Sequence, residues 1–439
     1  MSIGNLKDNG SKGYNYPWQY RMLKGLDLIN TSIDTLTTTI GSEVVGPMAN
    51  DAFGRLRVSE PLTLFDSSHR YKDNGLWATA TASGGTAVFS PDQGLVNLNV
   101  TAATGSEVIR ETYKVFSYQP GKSLLVFNTF VMAPAQTGLR QRVGYYGIDN
   151  GIYIQLNDNI LSFVERSIVT GIVSETVVNQ AAWNADTMDG NGPSGITLDI
   201  TKAQILFMDI EWLGEGTVRL GFVIDGNFIV CHRFNHANLI ASTYITTASL
   251  PLRYEISAGV AGIIATLKQV CSTVISEGGY ELRGAQQAIG IPITAPRSLA
   301  TAGTYYPIIS IKLNTSYLDA VVILTALSIM GTGTGIYNWR VVSTGATTGG
   351  TWLSAGANSS VDYNITGTGF SGGRTLASGF ITSTTQASVN LDILKEALFS
   401  FQLERNSFTS TPSEITLVVS ASTNTELIYA SMDWEEISR

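Results

Sequence analysis

Asp209 and Glu211 stand two residues apart in QILFMDIEWL. On a strand that spacing puts both carboxylates on one face, about 7 Å apart. Such a pair suits general acid–base work on a glycosidic bond. Leu206, Met208, Ile210 and Trp212 take the other face, so the acids equally read as the solvent side of an alternating strand. Glu165, Asp199, Asp225 and Glu255 are further acids that inner faces or rims could present. His232 and His236 are four apart, with Cys231 alongside. A helix would bring two such rings onto one metal, but NFIVCHRFNHAN reads as strand end and turn. There, positions four apart lie about 13 Å from each other, too far for one ion. In WNADTMDGNGPSG, Asp186, Asp189 and Asn191 offer the oxygens that calcium takes, with a poor fit to a twelve-residue EF-hand loop. GTGTG at 331–335 lacks the helix start and the Lys-Ser/Thr of a phosphate loop. The chain has three histidines, His69, His232 and His236, and no G-x-S-x-G between a strand and a helix, so a nucleophilic triad is hard to build. The expectation is a protein that is not an enzyme, with no cofactor, no metal and no catalytic set. Aromatics at loops and strand ends offer a different chemistry, stacking on sugar rings. Tyr145, Tyr146, Tyr153, Trp183 and Trp352 are the candidates for glycan contact, with core or edge packing as the competing role.

Composition narrows the classes. Of 439 residues only 14% are charged, against roughly 25% in ordinary soluble domains, while 44 are glycine. Weak charge with abundant Gly, Thr and Ser favours strands and tight turns. A net charge of −8 without a Lys/Arg cluster implies no nucleic-acid surface. No run approaches 18 apolar residues, so membrane insertion is not expected. The opening MSIGNLKDNGSKGYNY lacks the apolar core of a secretory leader. Cys231 and Cys271 give neither zinc spacing nor a disulfide framework and read as buried thiols.

The elements follow from period and punctuation. PWQYRMLKGLDLINTSIDTL predicts a helix, with Pro17 in its first turn. Trp18, Met22, Leu26, Ile29, Ile33 and Leu36 recur at spacings of four and three, a seam that must be buried on something. Residues 1–46 are therefore an anchoring or oligomerisation helix segment, held by apolar burial. Residues 47–75, broken by Pro47, Gly54, Pro61 and Gly75, read as an extended connector. Strand signals recur across 76–290, among them TAVFS, LVNLNV, SLLVFNTFVM, GIYIQL, ILSFVER and NFIVCHRF. Asp225-Gly226 is a hairpin turn, and LGEG turns the preceding pair, so QILFMDI, VRLGFVI and NFIVCHRF form an antiparallel meander. After AIGIPITAPRS a second all-β body fills 291–439, with the Gly/Thr/Ser-rich stretch 331–375 expected to loop out. The fold class is mainly β: two antiparallel sandwiches of jelly-roll kind behind an N-terminal helix.

The phrase DGNGPSGITLDITKAQILFMDIEWLGEGTVRLGFVIDGNFIVCHRFNHAN resembles a segment of virion structural proteins of tailed bacteriophages. AFGRLRVSEPLTLFDSSHRY resembles their connector, NYPWQYRMLKGLDLI their leading helix, and ASMDWEEI their closing strand. The resemblance implies a concanavalin-like sandwich and a particle component made in the host cytoplasm. That component is a tail fibre or appendage, or else a head decoration. Implied partners are copies of itself, as a homotrimer by analogy with fibre parts, and other tail or capsid proteins; a host-surface glycan, met through the loop aromatics, is the alternative partner.

Overall fold

The computed structural model describes residues 61–281, 283–383, 388–389, 401–406 and 408–438. The seam Trp18, Met22, Leu26, Ile29, Ile33 and Leu36, with its expected helix, lies outside them. The described residues belong to one compact unit, Val58–Arg439, which contains two large hydrophobic cores and a small third cluster of Tyr146, Tyr153 and Val164.

The strands of the first sandwich are β1 (Leu62–Ser68), β2 (Trp77–Ala82), β3 (Thr86–Ser90), β4 (Leu95–Val100), β5 (Ser106–Thr112), β6 (Ser123–Val131), β7 (Leu139–Tyr146) and β8 (Gly151–Asn157). They continue with β9 (Ile160–Ser167), β10 (Ser174–Asn179), β11 (Gln204–Ile210), β12 (Val218–Ile224), β13 (Asn227–Phe234), β14 (Leu252–Ala258) and β15 (Ala265–Glu277). An eight-stranded sheet runs β13-β12-β11-β6-β15-β4-β3, with β1 paired to β15, and a seven-stranded sheet runs β10-β9-β8-β7-β14-β5-β2. Pairing between named strands is antiparallel throughout. One face of each sheet supplies the core: Leu98, Val126, Leu206 and Leu220 from one, Val143, Ile154, Phe163 and Tyr254 from the other. Burying each such side chain contributes roughly 1.5–3 kcal/mol.

The second sandwich contains β16 (Ala285–Gly290), β17 (Arg297–Leu299), β18 (Tyr306–Leu313), β19 (Val321–Gly331), β20 (Ile336–Thr348), β21 (Leu353–Ser354) and β22 (Val361–Asn364). To these it adds β23 (Gly369–Thr382), β24 (Ser388–Val389), β25 (Arg405–Asn406), β26 (Thr411–Pro412), β27 (Glu414–Ala421) and β28 (Glu426–Ser438). A five-stranded sheet runs β16-β28-β19-β24, with β17 also on β28, and a six-stranded sheet runs β21-β22-β18-β27-β20-β23. No described helix is long and apolar enough to cross a membrane.

Three expectations need correction. The 47–75 connector contributes β1, which joins the first sandwich, because Leu64 and Phe65 enter the core. Residues 285–290 pair with β28 and so belong to the second sandwich. The 331–375 stretch does not loop out: β20 and β23 pair from Ile336↔Thr382 to Thr348↔Gly369. Thr344 at φ 61° and Gly373 at φ 87°, both left-handed, are skipped one on each strand, so the pairing resumes in the same register; the bulge of this ladder falls between Val341 and Val342, where Leu376 is the extra residue on β23.

Candidate functional site

Alternation along β7 sends Leu139, Val143 and Tyr145 into the core and leaves Arg140, Arg142 and Tyr146 on the outer face of the seven-stranded sheet. Register then sets charges opposite one another: Arg142 faces Glu255 on β14, and Arg253 on β14 faces Glu111 on β5. Arg142 pairs with Glu255, and Arg253 reaches Glu255 at 3.0 Å and Glu111 at 3.1 Å. Farther across the face, Glu175 on β10 accepts from the Tyr153 hydroxyl at 2.7 Å and from Arg166 at 2.6 Å, with Arg140 at 3.3 Å. Burial alone would raise the Glu175 carboxyl. The Tyr153 hydroxyl and the Arg166 and Arg140 guanidiniums outweigh it and hold that carboxyl below its ordinary value. The rings of Tyr146 and Tyr153 lie 4.4 Å apart, and the guanidiniums of Arg142, Arg166 and Arg253 sit 5.4–5.9 Å from the Tyr146 centroid.

The second sandwich meets this face at the Glu111 end. Gln402 donates to the Val115 carbonyl at 2.7 Å, and Arg405 reaches Glu111 at 3.6 Å while gripping Asp319 at 2.9 Å. Beside these contacts lies a cavity of about 250 Å³. Glu111, Asp149, Thr246 and Thr247 line it from the first sandwich, Asp319 and Arg405 from the second.

The expected glycan contacts do not form a platform. Tyr145 is fully buried; its hydroxyl donates to the Ala248 carbonyl at 2.7 Å and accepts from the Leu250 N–H at 3.0 Å. Tyr146 and Tyr153 are fully buried among the arginines. Trp183 is buried and stacked on Phe163 at 4.4 Å. Trp352 is half-buried, with the Lys312 ammonium 4.1 Å from its ring centroid. Tyr145 and Trp183 belong to the sandwich core, while Tyr146 and Tyr153 are covered on the outer face by the arginines.

The acids are likewise used structurally. Asp209 is buried and pairs with Arg219, its cross-strand partner on β12, while Glu211 falls beyond the end of β11. Glu165 points inward to His236 Nε2 at 2.8 Å, and His236 Nδ1 meets the Gly216 carbonyl. Both ring nitrogens thus face acceptors, the arrangement of an imidazolium. Burial alone would lower this histidine's pKa, but the Glu165 carboxylate and the Gly216 carbonyl raise it. His232 lies apart, accepting from the Asn184 N–H at 3.3 Å. Cys231 is buried against Met188, and Cys271 is only half-buried. In the 183–195 loop Asp186 accepts from the Met188 and Ser194 amides, and Asp189 from Thr187 and the Asn191 amide. These oxygens fasten the loop itself. Asp225 and Asp199 are exposed. The 331–335 glycine loop gives its Gly335 amide to the chain's own Glu426, which also accepts from Tyr337 at 2.6 Å. Among the described residues no group of three or more His, Cys, Asp or Glu side chains gathers as a metal site.

Sequence reasoning passed over β7 and the junction cavity. LRQRVGYY carries arginines at alternate positions, the one signal that marks its charged face.

No family model matches the chain, and no curated protein matches it. Solved structures are similar to it at low identity. A protein of unknown function from Shewanella oneidensis MR-1 is 9% identical over 52% of this chain and 91% of that one, at a TM-score of 0.33. A mixed-linkage-glucan GH16 protein of Bacteroides ovatus, solved with a product, is 9% identical over 48% of this chain and 99% of that one, at 0.33. Peanut lectin is 10% identical over 50% of this chain and 98% of that one, at 0.28.

Proposed function

We propose that this chain is a non-catalytic structural component on the exterior of a tailed-phage particle, as a tail fibre or appendage. It assembles through residues 1–46 with copies of itself and with other virion proteins. The observation that supports the reading is the pairing on the seven-stranded sheet, where Glu111, Glu175 and Glu255 each meet arginine. A glycoside hydrolase needs one carboxyl kept protonated beside a second kept ionised. At Glu175 the Tyr153 hydroxyl and the guanidiniums outweigh burial and favour the ionised carboxylate, and such a lattice stiffens a sheet instead of donating a proton. Antibody against the two sandwiches, gold-labelled on intact particles, tests the placement. Label on tails is expected; label on heads replaces the appendage with a decoration protein, and unlabelled particles overturn the reading. New reducing ends from host capsule incubated with the protein would overturn the non-catalytic part.

The second reading, recognition of a host-surface glycan, is favoured by the junction cavity, where charged and hydroxyl side chains of two sandwiches converge.

A further inference from the structure

We infer that the cavity between the two sandwiches is a subsite for one neutral or amino-bearing sugar ring, and that acidic sugars are refused there. The inference rests on the glycan-binding reading and gives it a place. At about 250 Å³ the cavity is small for a ligand site and takes a single ring. Its polar groups suit a polyol, whose hydroxyls both give and accept hydrogen bonds. Asp149 is exposed on the 147–150 turn, and its carboxylate makes no hydrogen bond among the described residues. Asp319 spends one oxygen, Oδ1, on both Nε and Nη2 of Arg405, which leaves its second oxygen outside that pair. Thr246 and Thr247 each accept one bond, from the Asn150 side-chain amide at 2.7 Å and the Ser249 N–H at 3.0 Å. Each threonine hydroxyl still has its own proton to give.

Apolar surface completes the match. Ile148 lines the cavity yet is 64% exposed, and Leu318 faces it from the other sandwich. Such aliphatic walls suit the C–H edges of a sugar, as the polar groups suit its hydroxyls. Charge decides the class. Three carboxylates, Glu111, Asp149 and Asp319, line the cavity with one guanidinium, Arg405, so a uronic or sialic acid meets repulsion while an amine meets attraction. Without an aromatic platform the affinity for one ring is weak, with a dissociation constant on the order of 1 mM, and surface retention comes from many copies.

Saturation-transfer NMR on the full chain tests this with methyl glucoside, methyl galactoside, N-acetylglucosamine, glucosamine and glucuronate. Transfer to at least one neutral or amino sugar and none to glucuronate is expected. Asp149→Ala, at an exposed position, and Leu318→Trp, which fills the cavity, should each weaken that binding roughly tenfold or more, the loss of one charge-assisted hydrogen bond or of the space itself. Unchanged thermal melting shows that each variant is folded. Sugar binding that survives both substitutions overturns the subsite and leaves glycan recognition standing elsewhere. A preference for glucuronate overturns the charge argument. Silence from every sugar, together with no signal from host polysaccharide, overturns the glycan reading along with its site.

Discussion

At the scale of single residues, the arginines of β7 and β14 are committed to neighbours, and removing one partner isolates charge. Glu255 serves both Arg142 and Arg253 and is 1% exposed. Glu255→Gln should cost about 3–5 kcal/mol, read as a lower urea midpoint at unchanged slope. The histidines predict opposite responses to pH. Burial lowers His69 and His232 to about 4, so the unfolded chain takes up those protons first, near 6.5, and stability falls as the pH drops from there toward 4. His236 is raised by its carboxylate, so its contribution is complete below 6.5 and is lost as the pH climbs past its folded value. Melting temperatures across a pH series check both: His236→Gln should flatten the alkaline fall and leave the acid one in place. Little of the candidate site could be read from the sequence. Asp209, Glu211, Tyr145 and Trp183 have the right types for chemistry, but only register reveals that Arg219 neutralises Asp209 and that Tyr145 and Trp183 point inward. The cavity is made by residues separated by more than 250 positions, such as Asp149 and Arg405, and no local spacing encodes that meeting.

At the scale of elements, the sequence was most legible where turn chemistry and alternation agreed. The meander β11-β12-β13 follows the expected order, and its Asp225-Gly226 turn has φ of 51° and 79°, as a primed hairpin turn requires. Gly226→Val, which puts a β-branched residue in that conformation, should therefore destabilise by roughly 1–2 kcal/mol in chemical unfolding. Open space around the Gly226 position leaves backbone strain as the cause. Strands whose outer faces are charged or polar escaped notice: β7 by its arginines, β10 (SETVVN) by its exposure at a sheet edge, and β2 (WATATA) by alternating threonine with alanine. The β20–β23 arm was misread because glycine and threonine are turn residues when counted alone. In the ladder Thr344 and Gly373 fall on the same rung, one skipped on each strand, and the register is the same on either side.

At the scale of the whole molecule, residues 1–46 remain the expected seat of assembly. Light scattering after size exclusion should show full-length protein as a trimer and a 47–439 truncation as a monomer; a full-length monomer would rule out self-assembly through that segment. The pairing of β1 with β15 has a mechanical consequence. Leu62, where the chain enters the first sandwich, lies opposite Ser276, just before the chain leaves it. A pull applied along the chain therefore runs through one strand pair and bypasses the body. It opens that pair rung by rung from the Leu62–Ser276 end, instead of shearing every rung at once. Stretched between handles at residues 61 and 283, the sandwich should release β1 at low force before its core gives way. A sandwich built in this way lengthens under tension without losing the faces it displays.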